Sequence, residues 1–237
     1  MKGKKDYQIT QFCHRFLEDH IEEGSCCIDA TCGNGNDTEF LCRMAGETGK
    51  VYAFDIQAQA VERTAERLEN AGYRERAVLY CAGHEQMSEY VEEKADAVMF
   101  NFGYLPGGDH KVATRAETSL RALREAMRLL KEGGVISLCI YSGGDTGYEE
   151  RDALLAFLRE LDPRQWLVIA CSYYNRKNDP PLPVFVVRVQ IRIGVGGRIQ
   201  LFPALNTPSA ERLFYPIGAA AQSPRNFFST GWSLSYR

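Results

Sequence analysis

Apolar residues along the chain recur with two periods, one typical of helices and one of short buried strands. Spacings of three and four residues predict a first helix over 9–17. Short apolar runs predict seven strands, at residues 25–30, 50–56, 77–82, 95–101, 134–140, 165–174 and 183–190. Amphipathic patterns between them predict helices at residues 36–46, 59–72, 111–130 and 148–161. Strands that alternate with helices indicate βαβ units and a mostly parallel sheet.

The last two predicted strands differ from the others in how they are joined. The connecting segment NRKNDPPL is short and polar and contains two prolines. A parallel crossover needs about a dozen residues or more, so we expect these two strands to be antiparallel. The predicted fold class is therefore α/β, with a mostly parallel seven-stranded sheet, an antiparallel C-terminal strand and helices on both faces.

The pattern changes after Gln190. Residues 191–237 contain five arginines and one acidic residue, and no helical or strand period persists there. We therefore expect one domain at 1–190 and an irregular C-terminal tail at 191–237. The tail is interpreted either as a terminus altered by a frame change or as a peripheral segment lying on the domain.

Composition restricts the classes of protein that fit this pattern. The chain has 237 residues, 45% hydrophobic and 25% charged, which is ordinary for a soluble globular domain. A formal net charge of −3 argues against a protein that grips long nucleic acid mainly by charge. No run approaches the roughly 20 apolar residues of a membrane span, and the N-terminus lacks the apolar core of a signal peptide. We therefore expect a cytoplasmic protein with no membrane partner.

The eight cysteines form no CxxC pair. Several lie in apolar runs, as small buried thiols of a reducing compartment do. A structural zinc site needs clustered cysteines and histidines. We find no such cluster and predict no metal.

The stretch IDATCGNGND follows the first predicted strand and carries Gly33 and Gly35. A glycine-rich turn lets backbone N–H groups approach a ligand at the start of a helix. A dinucleotide fingerprint needs a third small residue where this chain has Thr38. The carboxylate of Asp37 would repel a pyrophosphate, whereas it suits a cationic ligand such as S-adenosylmethionine (SAM). Asp29 adds a second negative charge at the strand end.

Two further strand ends carry polar residues. Asp55 ends the second predicted strand, where an acidic side chain commonly accepts hydrogen bonds from ribose hydroxyls, and Gln57 can assist. The alternative for Asp55 is a helix N-cap. His84 and Glu85 follow the third predicted strand, where an adenine or its ribose would pass. For His84, a polar residue at a helix start is an equal alternative.

The fourth predicted strand ends in FNFGYLPGGDH, which contains Asn101. Ligands bind at the carboxyl ends of such strands, so we expect Asn101 to point at a methyl donor. Its arrangement with Tyr104 is similar to the Asn-Pro-Pro-Tyr of methyltransferases that act on exocyclic amines. We expect Tyr104 or Phe102 to stack on a base. Asp109 or His110 is a candidate acceptor for the amine proton.

Six segments together resemble one bacterial family: DATCGNGNDTEFL, AGHE, FNFGYLPGGDH, TSLRAL, GGVISLCIYSGGDTG and NRKNDPPL. The family is the tRNA 5-aminomethyl-2-thiouridine methyltransferases, formerly labelled rRNA methylases, and the resemblance spans roughly residues 6–190. It implies a Rossmann-like class I methyltransferase fold and SAM as cofactor. It also implies cofactor contacts from Asp29, Asn34, Asp37, Thr38, Asp55, Gln57, His84 and Glu85, with Asn101 and Gly103 near the methyl group.

The predicted loops after the fourth, fifth and sixth strands share one edge of the sheet. They combine aromatic, amide and basic residues, a mixture that suits a splayed tRNA anticodon loop. The candidate substrate contacts are Phe102, Tyr104, Lys111, Tyr141, Asn175, Arg176 and Asn178. A basic stripe on the helix at 111–130 is an alternative RNA surface, although a solvated helix face is the favoured interpretation.

These observations favour an enzyme that transfers a methyl group from SAM to the aminomethyl nitrogen of a tRNA wobble uridine. Methylation of rRNA or of a small amine is the alternative enzymatic function. A non-catalytic SAM-binding protein is a third possibility, which the Asn101–Tyr104 loop disfavours. Asp37 and Thr38 disfavour a nicotinamide oxidoreductase. A homodimer is also expected, because this fold often dimerises.

Overall fold

The computed structural model describes residues 8–102, 115–142, 147–177, 179–193 and 199–202. The predicted strands form one seven-stranded sheet in the order β3-β2-β1-β4-β5-β7-β6. The strands are β1 Cys26–Asp29, β2 Lys50–Asp55, β3 Ala77–Cys81, β4 Ala95–Phe102, β5 Leu130–Ile140, β6 Trp166–Ala170 and β7 Leu182–Arg188. All pairs are parallel except those made by β7, which runs antiparallel to both β5 and β6. The predicted fold class is confirmed.

Helices cover both faces of the sheet. They are α1 Ile9–Glu18, α2 Asn36–Ala45, α3 Ala58–Ala71, α4 Met87–Tyr90, α5 Ala116–Leu129 and α6 Gly147–Arg159. One buried cluster joins α1, α2 and α3 to the sheet, and a second joins α4, α5 and α6 to the opposite face. The strands are buried on both sides, which explains why they read as continuous apolar runs.

The strand order reverses next to β1. The chain runs outward from β1 through β2 to β3, and β4 then returns to pair with the other side of β1. Such a reversal opens a crevice at the carboxyl ends of the strands, where ligands bind. The carboxyl ends of β1 and β4 therefore flank this crevice.

Two predicted boundaries in the middle of the chain are corrected. The KEGG segment at 131–134 belongs to β5 instead of separating the helix from the strand. A bulge in the pairing with β4 accommodates it, since the register shifts between Ala95↔Leu130 and Ala97↔Val135. Helix α5 begins at Ala116, and residues 111–114 of the predicted helix lie outside the described residues. The short helix α4 was not predicted.

A small hairpin follows β7. Strand β8, Gln190–Ile193, pairs antiparallel with β9, Ile199–Phe202. The expectation of irregular chain directly after Gln190 is wrong for these two segments, because four-residue strands are too short to show a clear period. Residues 203–237 of the predicted tail lie outside the described residues.

Candidate active site

The glycine loop connects β1 to α2 in a conformation that only glycine adopts easily. Gly33 has φ of 54° and Gly35 has φ of 78°. A Cβ atom on Gly35 would lie 3.0 Å from the Thr64 Cα, so α3 packs directly against the turn. The turn is closed by the Gly35 amide, which donates to the Cys32 carbonyl at 2.7 Å. These contacts set the position at which α2 begins.

Asp29 lies under this loop and is fully buried. The Thr38 hydroxyl donates to its Oδ2 at 2.6 Å, and the Thr31 amide donates to its Oδ1 at 3.1 Å. Burial, together with the nearby carboxylate of Asp37, raises the pKa of Asp29 to about 7. Asp29 and Thr38 thus fix the glycine loop between the end of β1 and the first turn of α2. Direct contact of either residue with the cofactor stays a prediction.

Asp55 holds the loop from the side of β2. Its Oδ2 accepts the Gly33 amide at 3.0 Å and its Oδ1 accepts the Gln57 amide at 2.9 Å. The N-cap of α3 is Gln57, so Asp55 is not the helix cap. Each Asp55 oxygen retains a lone pair, which suits the predicted ribose contact.

Asn34 turns towards α3. Its side-chain Oδ1 accepts from Arg63 at 3.3 Å, and its carbonyl accepts from the Nε of Arg67 at 2.7 Å. Arg67 also pairs with Glu39 at 2.9 Å. These two arginines fasten the loop to α3. The sequence analysis missed them because they stand on the polar face of an ordinary amphipathic helix.

Asp37, in the first turn of α2, is bonded from two directions. The Nε2 of His14 lies 2.6 Å from its Oδ1, and the Nδ2 of Asn101 donates to its Oδ2. The backbone amide of Asn101 in turn donates to the Thr31 hydroxyl at 2.8 Å. The ends of β1 and β4 are therefore joined through one carboxylate. The sequence analysis missed His14, since nothing in its local pattern separates it from other residues of α1.

His84 lies at the other side of the crevice. It is buried, with its ring edge-on to Phe100 and Phe102 at 6.0 and 6.1 Å between ring centroids. Burial lowers the pKa of His84, although the nearby Glu85 opposes the shift. These contacts anchor His84 at the start of a helical turn, and its contact with the cofactor stays a prediction. Glu85 is half-buried, and its contact with the cofactor stays a prediction.

Phe102 is corrected by the structure. Its ring is fully buried and stacks on Phe100 with 5.0 Å between ring centroids. Phe102 is therefore a core residue, and the prediction that it stacks on a base is wrong. Other predicted site residues lie outside the described part of the chain: Gly103, Tyr104, Asp109, His110, Lys111 and Asn178.

The loops after β5 and β6 lie at the same sheet edge as the glycine loop, because β6 runs parallel to β5. We call the described residues of these loops the rim: 141–142, 147–148, 171–177 and 179–181. Within the rim, Tyr148 donates from its hydroxyl to Asp179 at 3.0 Å. The exposed rim side chains include Tyr148, Tyr174, Asn175 and Arg176, whereas Tyr141 is half-buried.

The predicted basic stripe, Arg121, Arg124, Arg128 and Lys131, is largely engaged within the domain, and Lys131 lies on β5 instead of α5. Three of its members have partners: Lys131 with Asp96, Arg128 with Glu125, and Arg124 with the ring of Phe157. Ion pairs at a surface are ordinary features of a solvated helix face. The structure therefore favours that interpretation over an RNA surface.

The residues of the crevice fit SAM. The loop offers glycine backbone for close approach, and carboxylates line it at Asp37, Asp55 and Glu85. This acidic donor set suits a sulfonium, an ammonium and ribose hydroxyls, and it opposes a pyrophosphate. Asp37 and Asp55 would hold the cationic and ribose parts of the ligand.

Comparison with known proteins gives the family. The sequence model of the family described as "Putative rRNA methylase" matches residues 51–187. The chain belongs to this family. A relative from Arabidopsis thaliana, named tRNA (mnm(5)s(2)U34)-methyltransferase, chloroplastic, is 41% identical over 194 residues, which are 78% of this chain and 69% of the relative.

Solved structures of the family share the fold. A putative rRNA methylase from Clostridium thermocellum is 41% identical with a TM-score of 0.76, covering 79% of this chain and 100% of the other. A putative methyltransferase from Streptococcus mutans, solved with SAH, is 38% identical with a TM-score of 0.70, covering 76% and 98%. The resemblance seen in the motifs is confirmed: the protein is a class I methyltransferase that uses SAM as cofactor.

Two further features concern membrane and metal partners. Within the ranges the structure describes, no helix is long and apolar enough to span a bilayer. In the same ranges, no three His, Cys, Asp or Glu side chains are grouped as a metal site requires. The cytoplasmic location and the homodimer stay predictions.

Proposed function

We propose that this enzyme methylates the exocyclic aminomethyl nitrogen of a 5-aminomethyl-2-thiouridine at the wobble position of tRNA. Two lines of support are the orientation of Asn101 and the Arabidopsis relative, whose name states a tRNA methyltransferase and the methylated nucleoside mnm(5)s(2)U34. Asn101 carries the argument for an amine acceptor, and the relative carries the argument for tRNA.

The amide of Asn101 can be oriented in only one way. The carboxylate of Asp37 accepts hydrogen bonds and cannot donate them when ionised, so the Nδ2 of Asn101 must face it. The Oδ1 of Asn101 is then directed away from Asp37 as an acceptor. A primary amine offers N–H groups to such an acceptor, whereas a carbon nucleophile does not.

Asn101 orients the amine for direct displacement. Bound SAM supplies an electrophilic methyl group on a sulfonium that leaves readily. The acceptor nitrogen must be neutral, and a hydrogen bond from its N–H to the Asn101 Oδ1 aims its lone pair. Orientation of this kind contributes up to roughly 7 kcal/mol in well-aligned reactions. Asp109 or His110 is our proposed acceptor for the proton that the amine releases.

The rim supports an RNA acceptor. Tyr174 is fully exposed and stands beside the exposed side chains of Asn175 and Arg176. Exposed aromatic rings next to amide and guanidinium groups suit bases that are splayed out of a loop. A formal net charge of −3 is compatible with a small RNA footprint that makes few phosphate contacts.

The test uses the full chain with SAM and three acceptors. They are tRNA bearing the aminomethyl wobble nucleoside, the same tRNA with an unmodified wobble uridine, and ribosomal RNA. Nucleoside mass spectrometry should find the methylated wobble nucleoside in the first acceptor alone. Methylation of rRNA, or of the tRNA that lacks the aminomethyl group, would overturn the proposal.

A further inference from the structure

We infer that His14 is a positioning residue of the methyl-transfer site, which it controls through Asp37 and Asn101. The inference rests on the proposed amine-directed function, and it assigns a role to the N-terminal helix. His14 touches the carboxylate that touches Asn101.

The His14 ring is fixed in two ways. It is buried, and it stacks on Phe40 with 3.9 Å between ring centroids and 4° between ring planes. Its Nε2 lies 2.6 Å from Asp37 Oδ1, and because an ionised carboxylate only accepts, Nε2 must carry the proton. The plane of the imidazole thus sets the direction from which Asp37 is held.

Asp37 is shared between His14 on α1 and Asn101 at the end of β4. The side chain of Asp37 is also buried, so an oxygen that loses its donor remains desolvated and unpaired. Without His14, the carboxylate can rotate towards another donor and release the Nδ2 of Asn101. Asn101 would keep its backbone bond to Thr31 but lose the restraint that directs its Oδ1.

The alternative is that His14 merely fastens α1 to α2. The two roles differ in what a substitution changes. A fastening role alters stability and leaves turnover below the unfolding temperature unchanged. A positioning role lowers kcat, while the affinity for SAM and the KM for the acceptor change little.

Substitutions in α1 and just after it separate these roles. His14→Leu removes the donor and retains bulk, whereas His14→Gln offers an amide N–H near the original Nε2. His20→Leu is the matched control, since His20 follows the same helix, stacks on Phe16 and bonds the Phe16 carbonyl. Circular dichroism and thermal unfolding establish that each variant is folded at the assay temperature.

We expect His14→Leu to lower kcat roughly 10- to 100-fold with the Kd for SAM within about threefold of wild type. His14→Gln should recover most of the loss, and His20→Leu should behave as wild type. In the Asn101→Ala background, His14→Leu should cause no further loss, because both changes remove the same orientation. Wild-type kcat in His14→Leu, or equal losses for Leu and Gln, would overturn the inference.

A second measurement does not depend on the acceptor. The side-chain amide of Asn101 gives ¹H–¹⁵N signals that are identified by their disappearance in Asn101→Ala. In the protein without SAM, His14→Leu should shift these signals and speed their exchange with solvent, and His14→Gln should restore them. Unchanged Asn101 signals would overturn the inference even if tRNA proved not to be the substrate. If the signals change but tRNA is not methylated, the positioning role of His14 is supported and the proposed substrate is wrong.

Discussion

The carboxyl edge of the sheet has two regions that are built in opposite ways. Around the glycine loop, the carboxylates of Asp29, Asp37 and Asp55 each accept at least two hydrogen bonds from the chain itself. In the rim, Tyr174, Arg176 and neighbouring side chains are exposed to solvent. The first region is fixed before any ligand binds, whereas the second presents polar and aromatic groups to a partner.

The difference matches the chemistry of SAM and of the RNA acceptor that we propose. A small cationic cofactor is selected by preorganised charge in a desolvated crevice, where each interaction is strong. A large polyanion is selected by many weak contacts at an exposed surface, where each interaction is screened. Substitutions should therefore have large effects at the glycine loop and small effects at the rim.

The largest effect is expected from Asp29→Asn, measured as unfolding free energy against pH without SAM. The folded state binds the Asp29 proton more tightly than the unfolded chain, because burial raises its pKa from 3.8 to about 7. Its contribution is therefore fully present below pH 4 and is lost as the pH rises to 7. The unfolding free energy of Asp29→Asn should therefore rise relative to that of wild type across this window, by roughly 4 kcal/mol at most. A constant difference between the two proteins would contradict the buried, ionisable state of Asp29.

The second effect is expected from Asn101→Ala, measured as kcat and as SAM affinity by calorimetry. Loss of the amide acceptor should lower kcat roughly 100- to 1000-fold, the usual consequence of removing one aligned hydrogen bond from a transition state. Binding of SAM should change little. Asn70→Ala, at the exposed end of α3, is the control. Turnover equal to that of wild type would exclude Asn101 from the reaction.

The third effect is expected from Asp55→Asn, measured as SAM affinity. The substitution retains the shape and one acceptor but removes the charge that strengthens hydrogen bonds from ribose hydroxyls. We expect Kd for SAM to rise about tenfold, or roughly 1.4 kcal/mol. Asp162→Asn, which removes a carboxylate paired with Arg164 before β6, should leave the affinity unchanged. Equal affinity in both variants would remove Asp55 from the cofactor site.

The smallest effect is expected from Arg176→Ala at the rim. A single exposed contact to RNA is screened, so KM for tRNA should rise only about threefold while SAM affinity is unchanged. Arg164→Ala removes another exposed guanidinium, at the opposite edge of the sheet, and should have no effect. A tenfold or larger change at Arg176 would mean that the rim is as preorganised as the glycine loop, and the comparison between the two regions would fail.

The sequence also predicts the structure better in some parts of the site than in others. The glycine loop was predictable because its residues follow one strand directly, and the strand end fixes their location. Phe102 was misassigned because a phenylalanine at a strand end has no local mark that separates a core ring from an exposed one. His14 was missed for a related reason, since its partner Asp37 stands 23 residues away along the chain.

The sequence by itself determined the order of the seven sheet strands and of the five longer helices, the antiparallel return of β7, the glycine turn and the cationic ligand that its acidic residues favour. These depend on local periods, on loop lengths and on side-chain charge, all of which can be read along the chain. Only the tertiary structure decided which carboxylates are buried, which donors hold them and which way the Asn101 amide faces. Those features arise where α1, α2 and the ends of β1 and β4 meet, because contacts between distant segments leave no periodic signal in the sequence.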